Sequence, residues 1–125
     1  MHSNQLDSLV AIAKDASLLA GKYLLQNYET ELKILFNEGR DIKLQIDKDT
    51  ELLIKDFISS RSDLPILGEE TGSSADLQRT FWVIDPLDGT SNYLRGIPIS
   101  CVSIALMHEL KPILGVIYDF NNDHL

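Results

Sequence analysis

From Leu6 to Tyr28 the apolar residues return in steps of three and four, at Leu6, Leu9, Val10, Ala13, Ala16, Leu19, Ala20, Tyr23 and Leu24. That spacing predicts an amphipathic helix with one buried stripe. The period then shortens. Leu32 to Phe36 reads as a short strand and Asn37-Glu38-Gly39 as a turn. Ile42, Leu44 and Ile46 alternate with Lys43 and Gln45, which is strand periodicity. Helical spacing resumes at Leu53, Ile54, Phe57 and Ile58, so a second helix is expected to run from near Asp47 to near Ser60. Asp47 is placed as its N-cap, with Thr50 and Glu51 in the first turn.

Pro65 leads into a short strand, Ile66-Leu67, that runs into Gly68-Glu69-Glu70, followed by a polar loop from Thr71 to Gln78. Phe81-Trp82-Val83-Ile84 has strand length and ends at Asp85-Pro86, where Pro86 and Gly89 are expected to break it. Ile99 to Met107 and Pro112 to Tyr118 read as two more strands. The turn His108-Glu109-Leu110-Lys111 joins them as an antiparallel hairpin. This order predicts an α+β fold, helices layered on a mostly antiparallel sheet. No repeat or Gly/Ser-rich linker interrupts it, so residues 1–125 form a single α+β domain. A sheet that stops after Asn121-Asn122-Asp123 is expected to leave an open edge, which makes the domain read as incomplete at its carboxyl end.

Composition narrows the classes. The 44% hydrophobic and 24% charged fractions are ordinary for a globular chain with a real core. Nineteen acidic against eleven basic residues give a net charge of −8, which repels nucleic acid, and no basic patch offsets it. No apolar run reaches the length of a bilayer span, so no membrane partner is expected. Met1 to Gln5 lacks an apolar signal core, and the lone Cys101 has no internal disulfide partner. Both features point to a cytoplasmic setting.

The chemistry concentrates at Asp85-Pro86-Leu87-Asp88-Gly89-Thr90. A buried strand ends there and delivers two carboxylates three positions apart. Such a pair repels itself unless a cation neutralises it. Oxygen donors without nearby His or Cys favour Mg²⁺, with Mn²⁺ as a substitute, and the Leu87 carbonyl adds a further oxygen. The plain alternative is a turn, because Asp-Pro begins many turns and Asp88 can cap a short helix. Glu69, at the end of another short strand, is the third acidic candidate, since strand ends gather ligands from distant parts of a chain. Gly89-Thr90-Ser91-Asn92 can present backbone N–H groups to phosphate oxygens, and the Thr90 hydroxyl can direct a water molecule. A local Ser/Thr turn would look the same.

The stretch from Phe81 to Tyr93 resembles the signature of the inositol monophosphatase family. Gly68-Glu69-Glu70, Gly96-Ile97-Pro98, Val102-Ser103-Ile104-Ala105 and Gly115-Val116-Ile117-Tyr118 match its flanking motifs. The resemblance covers nearly the whole chain and corresponds to the amino-terminal half of a typical member. It implies an αβαβα sugar-phosphatase sandwich and hydrolysis of a small phosphate monoester, inositol monophosphate first, by a metal-activated water. It also implies lithium sensitivity and, by analogy, a homodimer. Glu69, Asp85 and the Leu87 carbonyl would hold one Mg²⁺, and Asp85 with Asp88 a second. Leu87, Asp88, Gly89 and Thr90 would contact the substrate. Thr90 and Glu69 would orient or deprotonate the attacking water, and Asp47 would hold Thr90. A 3′(2′),5′-bisphosphate nucleotidase, a fructose-1,6-bisphosphatase and a non-catalytic binding protein on the same fold are the alternatives.

Two departures from the family pattern stand out. Lys43-Leu44 replaces a Val-Thr pair before the second helix, and Phe36 stands where a Lys is common. The family's later tryptophan–aspartate motif, which completes the second metal site, has no counterpart in these 125 residues. One metal is therefore expected to bind well and the second poorly. Trp82 and Tyr93 are read as packing, Cys101 as a small buried hydrophobe, Arg95 as solvent-facing, and Glu51 as part of a charged helix start.

Overall fold

A computed structural model describes residues 3–28, 34–38, 41–69, 72–73 and 79–125 of the chain. Helix α1 spans Ser3–Gln26 and buries Leu9, Ala13, Ala16, Ala20 and Leu24 of the expected stripe, whereas Leu6, Val10 and Tyr23 are half-buried and Leu19 is exposed. Strands β1 (Ile34–Glu38) and β2 (Asp41–Leu44) form an antiparallel pair. Helix α2 spans Gln45–Ser59. Its buried side includes Ile46, Ile54 and Ile58 together with Asp47, Thr50 and Glu51.

The main sheet has five strands in the order β4-β3-β5-β6-β7. They are β3 (Ile66–Gly68), β4 (Gly72–Ser73), β5 (Thr80–Asp88), β6 (Cys101–His108) and β7 (Lys111–Tyr118). Only β3 and β5 run parallel; every other neighbouring pair is antiparallel. Burial alternates along the strands. Trp82 and Ile84 of β5, Val102, Ile104 and Leu106 of β6, and Val116 and Tyr118 of β7 are buried. Helix α1 packs on α2, β6 and β7, and α2 packs on β5. The intervening residues Val83, Asp85, Cys101, Ser103, Ala105 and Met107 are half-buried. The short helix α3 (Thr90–Leu94) follows β5 directly.

The architecture is the expected α+β one, with local corrections: β1 runs through Asn37 and Glu38, expected as a turn, Gly72–Ser73 of the expected loop forms β4, and β6 begins at Cys101 rather than Ile99. Helix α2 starts at Gln45, so Ile46 belongs to the helix rather than to a strand. Asp47 is accordingly not the N-cap but lies one turn in, where its Oδ2 accepts the Leu44 N–H at 2.7 Å. A carboxylate at that position satisfies an otherwise orphaned donor and also meets the positive end of the helix dipole. Strand β5 runs through Pro86 to Asp88. The three steps from Asp85 to Asp88 face only two from Ser103 to Cys101, so Pro86 sits in a bulge where its missing N–H interrupts no ladder. Cys101 is half-exposed on the less covered side of β6, not buried. The expected strand and turn positions at residues 32, 33 and 39, the loop residues 71 and 74–78, and Glu70 lie outside the described residues.

Candidate active site

The parallel pairing of β3 with β5 sets Gly68 beside Ile84. The next residue on each strand is acidic, Glu69 and Asp85. Their side chains come within hydrogen-bonding reach of each other. Asp85 is pushed up to about 7, first by burial, then by the bond to Glu69, then by the charges of Glu69 and Asp88. The Leu87 N–H, which donates to Asp85 Oδ1 at 3.3 Å, opposes the shift. Two strand ends that are distant in sequence therefore converge on one spot, where the charges acting on Asp85 are negative.

Asp88 ends β5, exposed, and acts on Asp85 through charge. Its Oδ2 faces the Cys101 thiol at 3.9 Å. That thiol is pushed up by burial and by the neighbouring Asp88 and Asp85 charges, which disfavours the thiolate. Glu69 and Asp85 line a cleft of about 390 Å³ with Leu67 and Val83. Asp88 lines a second cleft of about 400 Å³ with Gly89, Asn92, Ser100, Asp119 and Asn122. Among the described residues, no three carboxylate, imidazole or thiolate groups close into a ligating cluster as the side chains stand. Glu69 and Asp85 meet; Asp88 is within electrostatic reach but turned toward β6.

The turn after β5 is built tightly. Gly89 has φ 92° and caps α3. A Cβ there would lie 2.7 Å from the Ile99 carbonyl oxygen. Thr90 follows, its hydroxyl 3.1 Å from Asp47 Oδ1 and 3.2 Å from the Leu87 carbonyl oxygen. One hydroxyl proton serves one of these acceptors at a time. Asp47 is 1% exposed and links the start of α2 to the start of α3. Tyr93 anchors α3 from behind: it is buried, stacks on Tyr28 at 4.5 Å, and donates from its hydroxyl to the Leu24 carbonyl at 2.6 Å.

The donor set fits a hard divalent cation. Its members are carboxylate and carbonyl oxygens, and burial with the neighbouring Glu69 and Asp88 charges disfavours the Asp85 carboxylate, a cost that a cation would offset. Two residues of the arrangement escape sequence reasoning. Tyr93 reads from sequence as packing, and its hydroxyl bond to α1 has no sequence signature. Glu51 reads from sequence as part of a charged helix start, yet it is fully buried. Residues 47, 51, 54 and 58 lie in steps of four, three and four on one helix face, and that spacing was a readable signal.

Helices stacked on a mixed sheet, with acidic residues gathered at two adjacent strand ends and a tight Gly-Thr turn beside them, define a class of layered α+β proteins. Comparison with known proteins fixes which one. The chain belongs to the inositol monophosphatase family, whose sequence profile matches residues 5–125. It is 42% identical over 113 residues to the Nus factor SuhB of Xylella fastidiosa, an alignment that covers 88% of this chain and 41% of that one. It is 36% identical to the fructose-1,6-bisphosphatase/inositol-1-monophosphatase of Aquifex aeolicus, covering 90% of this chain and 44% of the relative. The crystal structure of the extragenic suppressor protein suhB from Bartonella henselae superposes with a TM-score of 0.85 at 33% identity, over 92% of this chain and 46% of that one. The chain thus spans under half the length of these relatives.

Among the described residues, no helix is long and apolar enough to cross a membrane.

Proposed function

We propose that this chain contributes to the Mg²⁺-dependent hydrolysis of a small phosphate monoester, with inositol monophosphate as the first substrate to test. The observation that carries this reading is the meeting of Glu69 with Asp85 across two parallel strand ends. Glu69, Asp85, the Leu87 carbonyl and Asp88 would hold the cation. When bound, Mg²⁺ or Mn²⁺ supplies the positive charge that lets an anionic phosphate approach an acidic protein, and it acidifies water. The Gly89 and Thr90 backbone N–H groups would hold phosphate oxygens, with Leu87 and Asp88 beside them. Asp47 accepts from Thr90 and so keeps that hydroxyl's lone pairs turned toward an incoming water. Glu69 would take the water's proton. The family's homodimer and lithium sensitivity belong to the same proposal.

The 42% identity to a Nus factor supports a second reading, a regulatory or binding role on the same fold. Phosphate release from inositol 1-phosphate, with and without Mg²⁺, separates the two. The catalytic reading expects Mg²⁺-dependent turnover that falls roughly 100-fold or more in Asp85→Asn, at or beyond the upper end of what an outer-shell change costs. Fructose 1,6-bisphosphate and a nucleoside 3′,5′-bisphosphate serve as rival substrates in the same assay. Divalent binding without turnover on any of the three favours the binding role.

A further inference from the structure

Four residues beyond Asp47, helix α2 carries a second carboxylate with no part in the chemistry above. Glu51 is 0% exposed, while Asp56 on the same helix faces water. Its carboxylate lies against Gly68. A Cβ built at Gly68 would stand 2.5 Å from Glu51 Cδ and 2.6 and 2.7 Å from its two oxygens. Any side chain at position 68 would therefore evict the carboxylate or move the strand. Gly68 is also the last residue of β3, in register with Ile84, so the next residue on each strand belongs to the Glu69–Asp85 pair.

We propose that Glu51 is a positioning residue that props the end of β3 so that Glu69 reaches Asp85. Helix α2 then braces both halves of the site. Asp47 holds the Thr90 turn after β5, and Glu51 holds the strand end that carries Glu69. At i and i+4 on a helix, two side chains stand one above the other on the same face, so a single rigid element fixes the spacing of both. A buried carboxylate carries a desolvation penalty that an apolar side chain of similar volume would avoid. Its contact with Gly68 gives it a geometric role at position 51.

The inference rests on Glu69 and Asp85 being cation ligands, and its test separates the two claims. Mn²⁺ binding to the folded protein is titrated by electron paramagnetic resonance for the wild type, Asp85→Asn, Glu51→Ala, Glu51→Gln and Gly68→Ala. Fluorescence of Trp82, buried in the core, confirms folding. Glu51→Ala and Gly68→Ala are expected to weaken Mn²⁺ binding about 10–100-fold, the usual effect of removing a group that orients a ligand. Glu51→Gln keeps the shape and restores affinity to within about 3-fold of the wild type, well inside that range. If Glu51→Ala does not fold, Glu51→Asp, which draws the carboxylate back by one methylene, carries the same expectation of weaker binding. A wild type that binds no better than Asp85→Asn defeats the site reading, and this inference with it. Wild-type affinity in the folded Glu51 variants and in Gly68→Ala overturns the role of Glu51 alone, as does a Glu51→Gln that binds no better than Glu51→Ala.

Discussion

Among the described residues, two of the turns that use positive backbone φ angles meet that requirement differently. The turn after β5 uses Gly89 at φ 92°. The β6–β7 hairpin uses Glu109 at φ 51° and Leu110 at φ 65°, between the paired residues His108 and Lys111. A two-residue hairpin loop of this handedness prefers Asn-Gly or a similar pair, because left-handed backbone is strained for residues with a Cβ. The hairpin tolerates the strain because its side chains have room: Leu110 is 85% exposed. The Gly89 turn has no room, since the Ile99 carbonyl stands where a Cβ would go. One turn only has to reverse the chain. The other also has to bring β5, α3 and the 97–100 segment close enough to set Thr90 on Asp47.

The contrast breaks most visibly at Gly89. Gly89→Ala adds left-handed strain to a collision with backbone, and the expected destabilisation is about 2–4 kcal/mol, from roughly 1–2 for the conformation and the rest for overpacking. Urea denaturation followed by Trp82 fluorescence measures it. A loss under about 1 kcal/mol would mean that the 97–100 segment yields easily, and the turn would then be no tighter than the hairpin.

Sequence reasoning recovers the two turns unequally, for the same physical reason. The α1 stripe from Leu9 to Leu24, the core strand around Trp82 and the β6–β7 hairpin are local patterns, and the structure shows all of them. The start of α2 was misplaced by two residues because Asp47 can serve a helix end either as a cap or from one turn inside; tertiary contact with Thr90 is compatible with the second. Strand β5 outran its expected end because a bulge absorbs Pro86, and bulges leave little mark on periodicity. The pairing of Glu69 with Asp85 depends on parallel register between segments sixteen residues apart, which no local pattern encodes. Two acidic residues at strand ends make such a meeting conceivable, and the resemblance of the motifs singles it out. Cys101 faces the half-covered side of the sheet because of its place in the alternation along β6, which the apolar run around it conceals.

The next expected effect is at Tyr93, which ties the site turn to α1 and has no counterpart at the hairpin. Tyr93→Phe keeps the stacking on Tyr28 but leaves the Leu24 carbonyl without its side-chain donor. A loss of about 1–2 kcal/mol is expected for a buried hydrogen bond of this kind. The informative readout is where the loss falls. Hydrogen exchange should quicken at the α3 amides while the β6–β7 amides keep their protection. Uniform loss across both would show that Tyr93 supports the whole core rather than the site turn.

The smallest effect should have the opposite sign. Leu110→Gly removes the left-handed penalty at an exposed position, and little packing is lost because the side chain is 85% exposed. The relief of roughly 1–2 kcal/mol is partly cancelled by the greater freedom that glycine has in the unfolded chain, about 0.5–1 kcal/mol. A net gain of about 0.5–1 kcal/mol in thermal or urea unfolding follows from that difference. Divalent-ion binding should not change, because the hairpin tip touches neither Glu69 nor the Asp85–Thr90 segment. If Leu110→Gly destabilises the protein instead, the leucine makes contacts worth more than its strain, and the hairpin is as demanding a turn as the one beside the site. The two turns differ in kind only if glycine helps at position 110 while alanine harms at position 89.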